Sequence, residues 1–164
     1  MELDDRALPL TRGQLDIWLA QETGHSGTEW QLGVLVRFDG AVQRDLLEQA
    51  IRHVMREAEP VRAAIFEVDG QVFQRAGDAE VELAFHDLSD SRHPVQEARE
   101  IAASIQNIPM PSSGPLFTFA LFQTWADEFY LFGCFHHIVI DGSGITLLAH
   151  RIARSGERRV GKEC

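Results

Sequence analysis

The sequence predicts an α+β fold, a mixed β-sheet with helices packed on it, and three observations carry that expectation. Segments with apolar residues at spacings of three and four alternate irregularly with β-rich segments. Asp69-Gly70, between two β-rich runs, is the pair best suited to a tight hairpin and argues against a purely parallel doubly wound sheet. Residues 116–124 and 128–137 are apolar on both faces, as strands are in the middle of a sheet.

Taken in order, the elements have local causes. Thr11 with Gln14 three residues later forms a capping-box pattern, and Leu10 and Leu15 occupy the two positions of a hydrophobic staple, so a helix starts at Thr11. Leu15, Trp18 and Leu19 recur on one face of it, and Gly24 lies near its end. Residues 31–38 alternate as a strand does before the turn residues Asp39-Gly40. Leu46, Leu47, Ala50, Ile51, Val54, Met55 and Ala58 make residues 42–58 the clearest amphipathic helix, which Pro60 ends. Strands are expected at 61–68, 71–74 and 81–85, and Pro94 suits the first turn of a helix carrying Val95, Ala98, Ile101, Ala102 and Ile105. The prolines of residues 109–115 require a loop, and a turn near Ala126-Asp127 joins the two apolar strands.

After Asp141-Gly142 a last helix places Ile145, Leu148, Ala149 and Ile152 on one face. From Ser155 periodicity is lost and the chain turns basic, so residues 155–164 are set apart from the folded unit, residues 1–154, as a non-native or disordered tail; a frayed native terminus is the alternative.

Composition narrows the function. With 164 residues and 45% hydrophobic content, the chain buries one sizeable core and reads as one domain. Its 25 Asp+Glu against 15 Lys+Arg give a formal net charge of -10, which offers phosphate backbones and anionic lipid nothing to bind. No apolar run approaches the roughly 20 residues that span a bilayer, and the acidic start, residues 1–5, is no signal peptide, so a cytoplasmic protein is expected. Cys134 lies in an apolar strand pattern and Cys164 is the last residue, which implies neither a disulfide framework nor a metal site.

The stretch that carries chemistry is His136-His137-Ile138-Val139-Ile140-Asp141-Gly142, at the end of the most hydrophobic strand. Consecutive strand residues point to opposite faces, so the two imidazoles do not reach one atom together; one acts and the other supports, and alternation does not say which. Asp141, beyond an apolar β-branched run, is expected to be partly buried and to need a cation or several donors. Gly142 allows close backbone approach or a positive φ, with its N–H free to face a substrate oxygen. A buried structural histidine pair is the competing reading.

The same residues resemble a family. Residues 136–142 match the His-His-x-x-x-Asp-Gly signature of nonribosomal peptide synthetase condensation domains, which share the fold of chloramphenicol acetyltransferase. Leu8-Pro9-Leu10-Thr11-Arg12-Gly13-Gln14-Leu15-Asp16-Ile17-Trp18 resembles the first family motif, and Val61-Arg62-Ala63-Ala64-Ile65-Phe66 the end of the second, all in the family's order. Ala63 stands where the family often has Thr, and Arg56-Glu57-Ala58-Glu59-Pro60 replaces its usual Arg-His-Glu run. The resemblance covers residues 8–154 and implies the N-terminal lobe of a condensation domain. It makes His137 the catalytic histidine and His136 its support, with Asp141 pairing with Arg62 to hold the loop.

The implied activity is amide formation between a donor acyl or peptidyl thioester and an acceptor aminoacyl thioester. No cofactor is bound directly; the substrates arrive on the phosphopantetheine arms of partner carrier proteins. In this family the tunnel runs between two lobes, so the C-terminal lobe of the same domain is a further partner and the isolated chain is expected to be inactive. An acyl-CoA-dependent acyltransferase of the same superfamily and a non-catalytic carrier-recruitment lobe are the alternatives. An epimerisation domain shares the histidine motif, whereas a heterocyclisation domain carries aspartates in its place.

Overall fold

The computed structural model describes residues 6–77 and 80–162, with side chains described to residue 156. The acidic residues 1–5 and Cys164 lie outside the described residues. The elements run β1 (Leu8–Pro9), α1 (Arg12–Glu22), β2 (Gln31–Asp39), α2 (Arg44–Glu57), a 3₁₀ turn (Glu59–Arg62), β3 (Ala63–Val68), β4 (Gln71–Ala76), β5 (Leu83–Asp87), α3 (Pro94–Gln106), β6 (Phe117–Trp125), β7 (Glu128–His136) and α4 (Gly142–Lys162). Four strands form the main sheet in the order β2-β7-β6-β5, and a smaller sheet has the order β1-β4-β3. The main sheet is mixed, antiparallel from β2 to β6 and parallel where β5 joins β6.

β6 and β7 lie at its centre because both of their faces have somewhere to bury. Phe117, Phe119 and Leu121 of β6, with Leu131 and Phe135 of β7, pack with Ile51, Val54 and Met55 of α2 and Leu148 and Ile152 of α4. The intervening residues Ala120, Phe122, Phe132 and Cys134 pack with Ala98 and Ala102 of α3 on the other face. Side chains such as Phe122, Phe135 and Ile51 are wholly enclosed, and each contributes about 1.5–3 kcal/mol by leaving water. Burial pushes the Cys134 thiol up to about 11, in keeping with a small hydrophobe.

Local signals set the boundaries. Thr11 caps α1 with both halves of the capping box formed. Asp69 (φ 51) and Gly70 (φ 78) turn the β3–β4 hairpin with two positive φ values, as a tight turn between twisted strands requires. Pro94 opens α3.

Three expectations need correction. The chain between Pro60 and β3 winds as the 3₁₀ turn before it extends, so the strand starts at Ala63 and not at residue 61. On α1 no residue is buried, and Leu15 and Leu19 are 39% and 56% exposed, because the helix lies on the outside of the lobe. The last helix does not stop at residue 154: backbone hydrogen bonding, which needs no apolar period, carries α4 to Lys162. No helix among the described residues is long and apolar enough to cross a membrane.

Candidate functional site

β7 delivers the histidine pair to the end of the sheet and is gripped there on both sides. The N–H of His136 donates to Leu116 O at 3.0 Å, that of His137 to Trp30 O at 2.8 Å, and that of Val139 back to His136 O at 3.1 Å, which closes a turn. Ile138 is buried in a cluster with Ile65 of β3 and Leu116, against which Ile17 and Trp18 of α1 pack. The β-branched run after the histidines does fill apolar pockets, and the turn bearing His137 is anchored by the residue that follows it.

The two imidazoles find different surroundings. His136 is buried, its Nδ1 accepting the N–H of Ile138 at 3.1 Å and its Nε2 bonded to Gln21 Oε1 of α1. An Nδ1 that accepts and an Nε2 facing a carbonyl oxygen assign the neutral Nε2–H tautomer. Burial, with a smaller contribution from His137, lowers its pKa to about 4. His137 is partly exposed, stands edge-on to Trp30 with ring centroids 6.0 Å apart, and has a buried Nδ1 without a hydrogen-bond partner. Neither of its ring nitrogens is engaged by another described residue. The pair is therefore asymmetric: both ring nitrogens of His136 are bonded within the lobe, and among the described residues no side chain or backbone group bonds the ring of His137.

Asp141, Gly142 and Arg62 are arranged otherwise than expected. Asp141 is exposed, and its Oδ1 accepts the Gly144 N–H at 2.7 Å while its backbone carbonyl accepts from Ile145. The residue is the N-cap of α4, and its partner is the helix end, not a guanidinium. Arg62 donates to Gly77 O at 2.8 Å and to Arg56 O at 3.3 Å, tying the 3₁₀ turn to the end of β4. No ion pair joins Arg62 and Asp141 among the described residues; the apolar run has already filled the interior before the chain surfaces at Asp141. Gly142 has no positive φ, and a Cβ there would meet open space, so neither the backbone conformation nor a neighbouring group in the lobe requires glycine at this position.

Residues that the sequence reading passed over also meet here. Gln21 and Trp30 were not singled out, and Gln14 was read as part of a cap and of the first family motif, with no partner outside its helix. Gln14 Nε2 donates to Ile138 O at 2.9 Å and to Gln74 Oε1 at 3.1 Å. Gln14 and Gln21 lie seven residues apart on one face of α1, a spacing that marks two polar contacts two turns apart. No group of three or more His, Cys, Asp or Glu among the described residues is arranged to hold a metal ion.

A mixed sheet clad by helices, with a histidine pair closing its central strand, defines a lobe of the chloramphenicol acetyltransferase-like class. The condensation-domain family model matches residues 5–157, and the chain belongs to that family. It is 32% identical over 151 residues to a dimodular nonribosomal peptide synthase of Bacillus subtilis (strain 168), covering 91% of this chain and 6% of that protein. It is 26% identical over 151 residues to enterobactin synthase component F of Escherichia coli (strain K12), covering 89% of this chain and 12% of that protein. The solved starter condensation domain of rhizomide synthetase aligns with a TM-score of 0.86 at 27% identity, over 91% of this chain and 38% of that one. The first condensation domain of the calcium-dependent antibiotic synthetase, in complex with substrate analogue 2a, aligns with a TM-score of 0.85 at 26% identity, over 90% of this chain and 36% of that one. The chain therefore spans little more than a third of these solved domains and a far smaller share of the curated relatives.

Proposed function

We propose that this chain is the histidine-bearing lobe of a condensation domain that joins a donor acyl or peptidyl thioester to the α-amine of an acceptor aminoacyl thioester, with His137 as the catalytic residue. The observation that carries the reading is the asymmetry of the pair: His136 is fixed on both nitrogens, and His137 is not. The substrates arrive on the phosphopantetheine arms of carrier proteins in the cytoplasm. The C-terminal lobe supplies the opposite wall of the tunnel, and the isolated chain is inactive without it.

The chemistry needs no strong base. An α-amine with a pKa of about 7.7–8.0 is partly unprotonated near neutrality. His137 orients the amine toward the thioester carbon and takes a proton from the ammonium that forms as the C–N bond is made; the C–S bond then breaks and the proton passes to the departing thiolate. The Gly142 N–H, in the first turn of α4, stabilises the developing oxyanion in this reading. Asp141 supports the site by capping that helix, and Arg62 by bracing the β3–β4 hairpin.

An acyl-CoA donor is the second reading, favoured by the rhizomide synthetase starter domain solved in complex with C8-CoA and Leu-SNAC. The test uses a full-length parent containing this lobe, in a single-turnover assay with loaded carriers and, separately, with acyl-CoA. His137→Ala is expected to abolish or severely slow amide formation while leaving carrier binding intact, and His136→Ala to hurt less where the fold survives. Condensation by His137→Ala at the parent rate would remove the catalytic reading and leave the carrier-recruitment lobe in its place.

A further inference from the structure

α1 is held to the lobe in an unusual way for a helix next to an active site. It buries no residue completely, and its inner face consists of Gln14, Ile17, Trp18 and Gln21, all partly buried. Apolar contact is confined to the middle pair, which packs toward Ile65, Leu116 and Ile138. Both ends of the face are carboxamides, and both reach the same turn.

Gln14 accepts at Oε1 from the Thr11 N–H (3.0 Å) and from Gln74 Nε2 (3.0 Å), and donates from Nε2 to Gln74 Oε1 (3.1 Å) and Ile138 O (2.9 Å). Gln21, two helical turns on, accepts from His136 Nε2, and the same imidazole accepts the Ile138 N–H at Nδ1. The backbone of Ile138 is thus held at its C=O by one glutamine and at its N–H by the other, acting through His136. His137 lies between the two fixed residues, and its own N–H is held by Trp30 O. A helix docked by directional bonds more than by apolar burial transmits its position, since such bonds fail within a few tenths of an ångström or a few tens of degrees.

We infer that Gln21 and Gln14 are positioning residues for His137: α1 is a strut whose two carboxamides set the height and direction from which that imidazole meets the substrate. The inference rests on the assignment of His137 as the catalytic residue, and it adds a role for the neighbouring histidine, which relays the grip of Gln21 to the backbone. If the glutamines merely fastened a surface helix, their loss would lower stability and leave turnover per folded molecule unchanged.

The experiment uses the complete condensation domain containing this lobe, with loaded carriers, at mildly alkaline pH where His136 is neutral. Gln21→Leu removes the acceptor, and Gln21→Glu keeps one. For Gln21→Leu, kcat per folded molecule should fall roughly ten- to hundred-fold, as expected of a displaced catalytic group, with KM for the acceptor-loaded carrier unchanged; Gln21→Glu should recover most of the loss. Nitrogen NMR of the histidine-labelled domain should show the Nε2–H tautomer at His136 in the parent and in Gln21→Glu, and a mixture in Gln21→Leu. Should Gln21→Leu not fold, Gln14→Glu, which keeps the acceptor and removes the donor to Ile138 O, should show the same fall in kcat at constant KM. Unchanged kcat in a folded Gln21→Leu or Gln14→Glu domain, or no recovery in Gln21→Glu, overturns the inference. If His137→Ala turns over at the parent rate, the functional reading fails instead, and an unaltered His136 tautomer in Gln21→Leu then overturns separately the grip of Gln21 on the turn through His136.

Discussion

The Oδ1 of Asp141 accepts the Gly144 N–H at 2.7 Å, so the carboxylate of the signature closes the first turn of α4. Asn caps as well as Asp, whereas Ala offers no acceptor. Asp141→Ala is expected to cost about 1 kcal/mol, and Asp141→Asn only a few tenths, both read from urea unfolding midpoints. A large loss in Asp141→Asn would restore the ionic role that the Arg62 geometry withdraws.

Gly144 sharpens the same point. Alanine is the better helix former by about 1 kcal/mol, yet a Cβ at this position would stand 2.7 Å from Ile140 Cγ1 and 3.3 Å from Asp141 Oδ1. Gly144→Ala should therefore destabilise the protein despite its propensity, by displacing Ile140 and loosening the cap. A rise in melting temperature would show that the turn before α4 yields freely.

Gln31 is a buried polar residue with three partners. Its Nε2 donates to Gln106 O (2.7 Å) and Ile108 O (2.9 Å), and its Oε1 accepts the Met110 N–H (2.8 Å). It fastens the end of α3 and the following loop beside the start of β2. Gln31→Leu removes all three part-buried bonds, each worth about 1 kcal/mol, so a loss of about 3 kcal/mol is expected. Hydrogen exchange should rise first at Met110, whose amide loses its acceptor.

Local rules made most of the fold legible in the sequence and little of the site's wiring. The capping box at Thr11, the Asp69-Gly70 turn and the two-faced apolar strands each depend on residues a few positions apart, and each is present. Residues 136–142 stand out by adjacent histidines at the end of the most hydrophobic strand, followed by Asp-Gly, and by their resemblance to the family signature. The bond between Gln21 and His136 spans 115 residues, and no local pattern announces it. The Arg62–Asp141 pair was carried by resemblance; here each side chain has nearer partners in its own turn. α4 outran its apolar pattern because a helical backbone satisfies its own hydrogen bonds, whatever side chains it carries.

The last prediction concerns pH and follows from the buried imidazole of His136. Its pKa falls from 6.5 to about 4 in the folded protein, because burial penalises the charged ring and His137 adds to the effect. Between these values the unfolded chain binds a proton that the folded chain refuses, so stability decreases as pH falls from 6.5 toward 4 and this contribution is flat above 6.5. The full loss is on the order of 3 kcal/mol, reached below the folded pKa. Glu29 acts in a different window. Its carboxylate accepts the N–H groups of His25 and Ser26, and bonds led by Ser26 hold it at about 2 against an ordinary 4.5. The stability it contributes is present above 4.5 and disappears only as pH falls through the folded value. Urea unfolding between pH 6.5 and 4.5 therefore isolates the histidine. The parent should lose stability steadily across that interval, and His136→Gln, which has no titrating group there, should lose markedly less. Equal slopes for the two proteins would mean that His136 takes up a proton without leaving its place, and the neutral, doubly bonded ring described here would then be wrong.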